Sequence, residues 1–211
     1  MVVANVELNN DRSIMRPMNR GRPRTFDPDQ VLENAMQLFW SQGYETTSLQ
    51  DLLLATGLSK SSLYESFGNK QSLFEAAFTR YFDSRAKQMR ERLEQADSPL
   101  DFIHGCLLSV LDDAQQGTPR GCMLVNVANE FSTADPAVQP LIELATRRFR
   151  QVFELAFEQA QACGELSDSR PPAALALYMR CAMSGLRTQT KSAIAQKDLL
   201  TVIELVMANL R

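Results

Sequence analysis

Residues 48–70 read SLQDLLLATGLSKSSLYESFGNK, and this stretch decides the fold. Ser48, followed by an aspartate three residues later, forms a capping-box pattern that predicts the start of a short helix. Gly57 is expected to end that helix, and Ser59 can cap a second one that runs to about Phe67. Two short helices joined by a turn that contains glycine are typical of a helix-turn-helix.

The second of these helices has two different faces when its residues are placed about 100° apart around the helix axis. Leu63 and Phe67 lie close together and are expected to face the core. Four polar residues lie opposite and are expected to meet the bases of a DNA major groove: Ser61, Ser62, Glu65 and Ser66. Because Glu65 repels phosphate, it either accepts a hydrogen bond from a cytosine amino group or points away. The side chains expected to contact phosphates are Thr47, Ser48, Lys60, Tyr64 and Lys70.

An arginine-rich arm precedes the first predicted helix. Residues 12–24 hold five arginines and no acidic residue, and residues 1–25 have the polar composition of a disordered basic arm. Arginines favour narrow, A·T-rich minor grooves, so three of them are expected to reach along such a groove: Arg20, Arg22 and Arg24. A disordered solubilising tail is the alternative.

Composition places the chain in a broad class. Its 211 residues are 45% hydrophobic and 22% charged, which is ordinary for a soluble globular protein. The net charge of −3 gives no general sign of nucleic-acid binding. Four cysteines at wide spacing predict free thiols, with no metal site and no cofactor. No apolar run is long enough to span a membrane and no signal peptide pattern is seen, so we expect a cytoplasmic protein.

The rest of the chain shows helical periodicity, with no strand-like alternation and no internal repeat. After residue 70 the predicted helices run over 70–93, 100–115, 122–131, a long segment that ends at Cys163, 171–192 and 198–210. The predicted fold class is therefore all-α.

The stretches GYETTSLQDL at 43–52, ATGLSKSSLYESF at 55–67 and NKQSL at 69–73 resemble the signature of TetR-family transcriptional regulators. The resemblance implies a three-helix helix-turn-helix domain at 26–73 and a helical effector-binding and dimerisation domain at 74–211. It further implies a homodimer that represses transcription at a palindromic double-stranded DNA operator until a small organic effector releases it. The phosphate contacts that it implies fall on Ser48, Tyr64 and Lys70.

The C-terminal helices are then expected to form the dimer interface and the effector pocket. Apolar and small residues mark one face of each of the last two helices: Ala174, Tyr178, Cys181, Ala182, Gly185 and Leu186, then Leu199, Val202, Ile203, Val206 and Leu210. The residues expected to line the pocket are Phe102, Cys106, Met123, Asn126, Val127, Glu130, Phe149 and Phe153. For both sets, a place in the internal core is the alternative.

Cys122 is a candidate sensor of the effector. It opens a predicted helix beside Arg120, a position that favours the thiolate. The segment RGCMLVN at 120–126 resembles that region of TetR-family members that respond to electrophiles or small unsaturated carboxylates, such as the N-ethylmaleimide-responsive repressor. A buried structural cysteine is the alternative.

Two other classes of protein were weighed against a regulator. A small helical enzyme is disfavoured because His104 and Cys106, on one helix, point about 160° apart and form no local dyad, and because no nucleotide-binding or metal motif occurs. A helical adaptor for protein partners would use the amphipathic C-terminal helices. The basic arm and the helix-turn-helix pattern argue against the adaptor.

Overall fold

The computed structural model describes residues 26–115, 120–131, 135–192 and 194–210. Over these residues the chain is all-α, which confirms the predicted fold class. Its helices are α1 (Pro28–Gln42), α2 (Leu49–Thr56), α3 (Lys60–Phe67), α4 (Lys70–Gln95), α5 (Pro99–Gln115), α6 (Met123–Glu130), α7 (Gln139–Ala162), α8 (Pro172–Gln189) and α9 (Gln196–Leu210), with a short 3-10 turn at Thr190–Ser192. The predicted basic arm, with Arg20, Arg22 and Arg24, lies outside the described residues. No helix in the described part of the chain has the length and apolar character needed to cross a membrane.

Capping side chains explain where the first three helices begin and end. Asp27 caps α1, Ser48 caps α2 in a complete capping box, and Ser59 caps α3 by accepting a hydrogen bond from the backbone N–H of Ser62. Gly57 ends α2 with φ of 70°, in the left-handed region that costs glycine little. The predicted bounds of α2 and α3 therefore agree with the structure.

The later helices differ by one to three residues from their predicted bounds, as α6 and α8 illustrate. Cys122 has extended backbone and precedes α6 as its N-cap residue, without a capping hydrogen bond from its side chain. α8 ends at Gln189, because the chain tightens into the 3-10 turn at Thr190–Ser192. Local patterning seldom fixes such ends to within a residue or two.

One hydrophobic core joins α1–α4 to α6 and the beginning of α7. Phe39 and Phe74 are buried at its centre, where their rings meet edge to face with centroids 5.2 Å apart. Met123 and Val127 of α6 and Ala145 of α7 belong to the same core. The helix-turn-helix region therefore packs directly against α6.

A second core lies among α5, α7, α8 and α9. Ile103, Phe157 and Met179 are fully buried in it, and Leu93 brings the C-terminal end of α4 into it. Because α4 contributes to both cores, a single uninterrupted helix connects them. Interiors packed in this way transmit displacement instead of absorbing it.

The predicted dimer stripes on α8 and α9 are divided between core and surface. Five of their residues are buried in the chain's own second core: Leu186, Leu199, Ile203, Val206 and Leu210. The large apolar side chains that these two helices expose are Leu177, Tyr178, Val202 and Leu205. For the five buried residues the structure agrees with the alternative of an internal core, and Leu177 and Leu205 lie outside the predicted stripes.

Candidate nucleic-acid interface and internal cavity

Buried apolar side chains anchor the pair α2–α3 to the rest of the protein. Leu52 and Leu63 are fully buried, and Leu58 in the intervening turn is nearly so. The side-chain amide of Asn34 on α1 donates a hydrogen bond to the backbone carbonyl of Ala55, across 3.0 Å. These contacts set the orientation of α3 relative to α1.

The face of α3 opposite Leu63 is polar and accessible. Lys60, Ser61, Tyr64 and Glu65 are exposed, with 46% of Tyr64 accessible, and Ser62 and Ser66 are half-buried. The small serines let a nucleic-acid groove approach the helix closely. The structure thus brings all six of these predicted DNA-contacting residues to one surface.

Serine hydroxyls at the start of α3 are already linked to one another. The hydroxyl oxygen of Ser59 lies 2.8 Å from that of Ser62 and 3.0 Å from that of Ser61. This network holds the first turn of α3 in place.

Ser48 and Lys70 lie at the N-termini of α2 and α4. The hydroxyl of Ser48 donates to the carboxylate of Asp51 at 2.6 Å and accepts from its backbone N–H at 3.1 Å. Hydrogen bonds from the Ser48 side chain and backbone lower the pKa of the exposed Asp51 carboxyl. The ammonium group of Lys70 lies 4.4 Å from the ring centroid of Tyr44. Both residues remain at the surface on which phosphates could lie.

Thr47 does not belong to that surface. Its side chain is 1% exposed, and its hydroxyl donates to the backbone carbonyl of Gly43 at 2.5 Å. The prediction that this hydroxyl contacts phosphate is therefore wrong, because the hydroxyl forms its hydrogen bond inside the turn between α1 and α2.

A cavity of about 360 Å³ lies between α4 and α8, with walls from α1, α5, α6 and α7, and its lining includes the exposed residues Arg85, Gln88 and Arg92. Four of the residues predicted to line a pocket meet there, together with the candidate sensor Cys122: Cys106, Met123, Phe149 and Phe153. Its volume is at the lower end of the range for small-molecule sites.

The other predicted pocket residues lie elsewhere. Phe102 is buried in the second core, with its ring centroid 6.4 Å from that of Phe153, and does not line the cavity. Asn126, Val127 and Glu130 face a separate open cleft between α1 and α6. For Phe102 the structure agrees with the alternative of an internal core, whereas a role of Asn126, Val127 and Glu130 in binding an effector stays a prediction.

The two cavity thiols differ in their surroundings. Burial raises the pKa of Cys106 to about 11, against smaller opposing effects from Arg92 and Arg187. Cys122 is half-buried, and its sulfur lies 4.0 Å from the hydroxyl of Ser184.

Arg120, the arginine expected beside Cys122, is engaged by α1. Its guanidinium group donates to the side chain of Gln37 at 2.5 Å and lies 4.4 Å from the ring centroid of Trp40. The charged groups that share the cavity with Cys122 are other arginines, on α4 and α8, and Asp112 of α5.

The sequence interpretation missed those arginines. Arg85 and Arg92 on α4 and Arg180 and Arg187 on α8 line the cavity. Within each helix the two are seven residues apart, which places them on one face about two turns apart. That spacing is a signal in the sequence, although only packing brings the two pairs together.

Over the described residues, no three or more His, Cys, Asp or Glu side chains cluster so as to hold a metal ion.

Comparison with known sequences gives two family matches. Residues 31–77 match the bacterial regulatory proteins of the tetR family, and residues 101–198 match the tetracyclin repressor-like C-terminal domain. The chain is 28% identical to the HTH-type transcriptional repressor ComR of Escherichia coli K12 over 186 residues, which span 87% of this chain and 89% of ComR. It is 32% identical to the regulator YezE of Bacillus subtilis 168 over 163 residues, or 75% of this chain and 83% of YezE.

Comparison with solved structures also finds TetR-family regulators. A cysteine variant of the TetR-family regulator CifR, in complex with 26-base-pair operator DNA, superposes with a TM-score of 0.78 and 29% identity, covering 90% of this chain and all of CifR. Reduced NemR of E. coli gives a TM-score of 0.77 at 22% identity, covering 85% of this chain and 94% of NemR, and so shares its fold.

Proposed function

The chain belongs to the TetR family of bacterial regulatory proteins, and we propose that it represses transcription by binding operator DNA through α2 and α3. The observation that carries the proposal is the polar, accessible face of α3, set opposite the buried Leu63. A rigidly anchored helix with small polar side chains is what a major groove admits.

The contacts divide by chemistry. Side chains at the helix ends and flanks hold phosphates: Ser48, Lys60, Tyr64 and Lys70. Those in the middle of the polar face meet bases: Ser61, Ser62, Glu65 and Ser66. The arm with Arg20, Arg22 and Arg24 adds contacts in the adjacent minor groove. In this proposal residues 26–73 bind DNA, and residues 74–211 bind the effector and the second subunit.

We propose that two copies pair through α8 and α9. Leu177, Tyr178, Val202 and Leu205 give these helices an apolar surface that a second copy would cover. A two-fold axis through this surface would place two copies of α3 on one side of the dimer and match a palindromic operator. Acting on operator DNA, the protein would work in the cytosol.

The cavity between α4 and α8 is the proposed effector site. Trp40 of α1 forms part of its wall, so a bound molecule would touch the DNA-binding unit directly. A ligand that favours one arrangement of α1 and α4 over the other would shift the dimer away from the spacing that fits DNA. Cys122 remains the proposed sensor of electrophiles, and Cys122→Ser should then prevent N-ethylmaleimide from releasing operator DNA. Equal release from both proteins would contradict that role.

An anisotropy titration tests the DNA-binding proposal. Labelled duplexes that tile the DNA adjoining the protein's own gene are titrated with wild type, Lys60→Ala and the control Lys197→Ala, whose lysine is exposed on α9. We expect one duplex to bind tightly, with affinity that falls steeply as salt rises. Lys60→Ala should weaken this binding and make its salt dependence shallower, whereas Lys197→Ala should match wild type. Equal affinity for all duplexes would contradict a specific repressor.

A further inference from the structure

The cavity between α4 and α8 carries an excess of positive charge. Four arginines line it, Arg85 and Arg92 from α4 and Arg180 and Arg187 from α8, whereas Asp112 is the acidic residue among its described lining. The formal charge of the lining is therefore +3, the sum of four positive charges and one negative charge, in a chain whose net charge is −3. The charge is thus concentrated at the cavity.

Three of these arginines form no ion pair within the described part of the chain: Arg85, Arg92 and Arg180. Arg85 lies 5.3 Å from the ring centroid of Tyr81. Arg180 is half-buried, whereas Arg92 is exposed. A guanidinium group withdrawn from water gains most from a carboxylate, which can accept two of its N–H groups at once.

A neutral donor adds to this set. The indole nitrogen of Trp40 is buried and has no acceptor among the described residues, and Trp40 lines the same cavity. A buried donor without an acceptor is costly, and an oxygen atom of a bound molecule would satisfy it. The cavity therefore presents N–H donors, from Arg92, Arg180 and Trp40, that have no acceptor among the described residues.

The remaining wall is apolar. Phe82, Phe149, Phe153, Met89 and Met183 line it. Aromatic rings and flexible methionines accommodate hydrocarbon of irregular shape. A bare inorganic anion would leave this surface uncovered.

We propose that the cavity binds an organic carboxylate with an apolar body, whose carboxylate is held by Arg92, Arg180 and the indole N–H of Trp40. The inference rests on the proposed effector-controlled repressor and gives its effector a chemical class. The apolar body lies against the phenylalanines and methionines. Contact with Trp40 brings the ligand against α1, the helix on which α2 packs.

Trp40 is the single tryptophan of the chain, so its emission reports on the cavity. Octanoate and 4-phenylbutyrate are titrated against the full-length protein without DNA, each beside its neutral amide and with acetate as the anion without an apolar body. Affinities are measured by calorimetry as well as by Trp40 emission. We expect each acid to bind at least about tenfold more tightly than its amide, and acetate not to bind.

Variants locate the site. Arg92→Met and Arg180→Met should each weaken octanoate about tenfold while leaving octanamide unchanged. Arg90→Met, an exposed arginine of α4 outside this cavity, is the matched control and should behave as wild type. If a methionine variant does not fold, Arg180→Lys and Trp40→Phe carry the test, and both should bind octanoate more weakly than wild type.

The outcomes separate the two proposals. Acids that bind no better than their amides, or binding that Arg92→Met and Arg180→Met leave intact, would overturn the carboxylate site. Operator titrations on the same samples test repression independently. If the protein binds its operator but binds acid and amide equally well, the carboxylate proposal is contradicted and the repressor proposal is not. No specific operator binding would sink the repressor, whatever binds in the cavity.

Discussion

The carboxylate of Glu130, at the C-terminal end of α6, accepts a hydrogen bond of 2.9 Å from the backbone N–H of Tyr44. Its other oxygen accepts one of 2.7 Å from the backbone N–H of Glu45. These N–H groups lie in the loop between α1 and α2. The opposite end of α6, at Met123, lines the cavity between α4 and α8. α6 is therefore a short strut from this cavity to the loop at the start of the helix-turn-helix.

Removing this strut contact should destabilise the chain and loosen its coupling. Because Glu130 is exposed, we expect Glu130→Ala to lower the free energy of unfolding by about 1 kcal/mol. The amount of effector needed to release DNA should change as well. Urea unfolding and operator release measure the two effects. Glu158→Ala is the control, because Glu158 is exposed and its side chain forms no hydrogen bond with the described residues, and equal behaviour of the two variants would contradict the strut.

The capping box of α2 should make stability depend on pH in the acid range. The folded pKa of Asp51 is lowered by its hydrogen bonds with Ser48, so its contribution is full above the unfolded pKa of about 3.9. That contribution is lost as the pH falls through the folded pKa. The difference in unfolding free energy between wild type and Asp51→Asn should be constant from about pH 5 to 7 and shrink below about pH 4. A difference that does not change with pH would contradict this role.

The four thiols should differ in reactivity. Cys163 and Cys181 are exposed, whereas Cys106 is buried and its pKa is raised to about 11, which keeps it protonated at neutral pH. Because the thiolate is the reactive species, iodoacetamide should modify Cys163 well before Cys106, whereas the proposed dimer would cover Cys181. Peptide mass spectrometry over a time course measures the order. Early modification of Cys106 in the folded protein would show that the cavity is more open than described.

Neighbouring residues of α3 should separate stability from DNA binding. Leu63→Ala removes a fully buried side chain and should cost about 2–5 kcal/mol of unfolding free energy. Tyr64→Phe removes one exposed hydroxyl, so stability should stay within about 0.5 kcal/mol while operator affinity falls about fivefold. Thermal unfolding and operator titration measure both. Tyr64→Phe with unchanged affinity would remove Tyr64 from the phosphate contacts.

The exposed apolar residues of α8 and α9 should control the oligomeric state. Leu205 is 57% exposed, and Leu205→Asp places a charge at this position. The substitution should convert the dimer into a monomer, as measured by light scattering after gel filtration. The control is Leu54→Asp, since Leu54 on α2 is 77% exposed and lies far from α9 in the sequence. A dimer that survives Leu205→Asp, or a wild type that is monomeric, would contradict the proposed pairing.

Local signals made the helix-turn-helix predictable. Ser48, Gly57 and Ser59 act within three or four residues of themselves, so their caps can be read directly from the sequence. Thr47 was misassigned because a hydroxyl beside a cap resembles a free one until its partner, the carbonyl of Gly43, is in place.

The cavity was harder to predict because distant helices build it. Cys106, Phe149 and Phe153 were identified, but Trp40 and the four arginines come from α1, α4 and α8. Phe102 shows the converse: its periodicity suits a pocket wall and an internal core equally, and packing placed it in the core. Helical periodicity identifies the buried face of a helix without identifying what covers that face.

DNase I footprinting of the DNA that adjoins the protein's own gene shows whether the protein binds an operator through α3. We expect one protected palindrome with half-sites about one helical turn apart, or a whole number of turns. Ser61→Glu, which places a negative charge on the exposed face of α3, should abolish the protection without unfolding the protein. The absence of a protected site, or protection that survives Ser61→Glu, would contradict operator binding through α3.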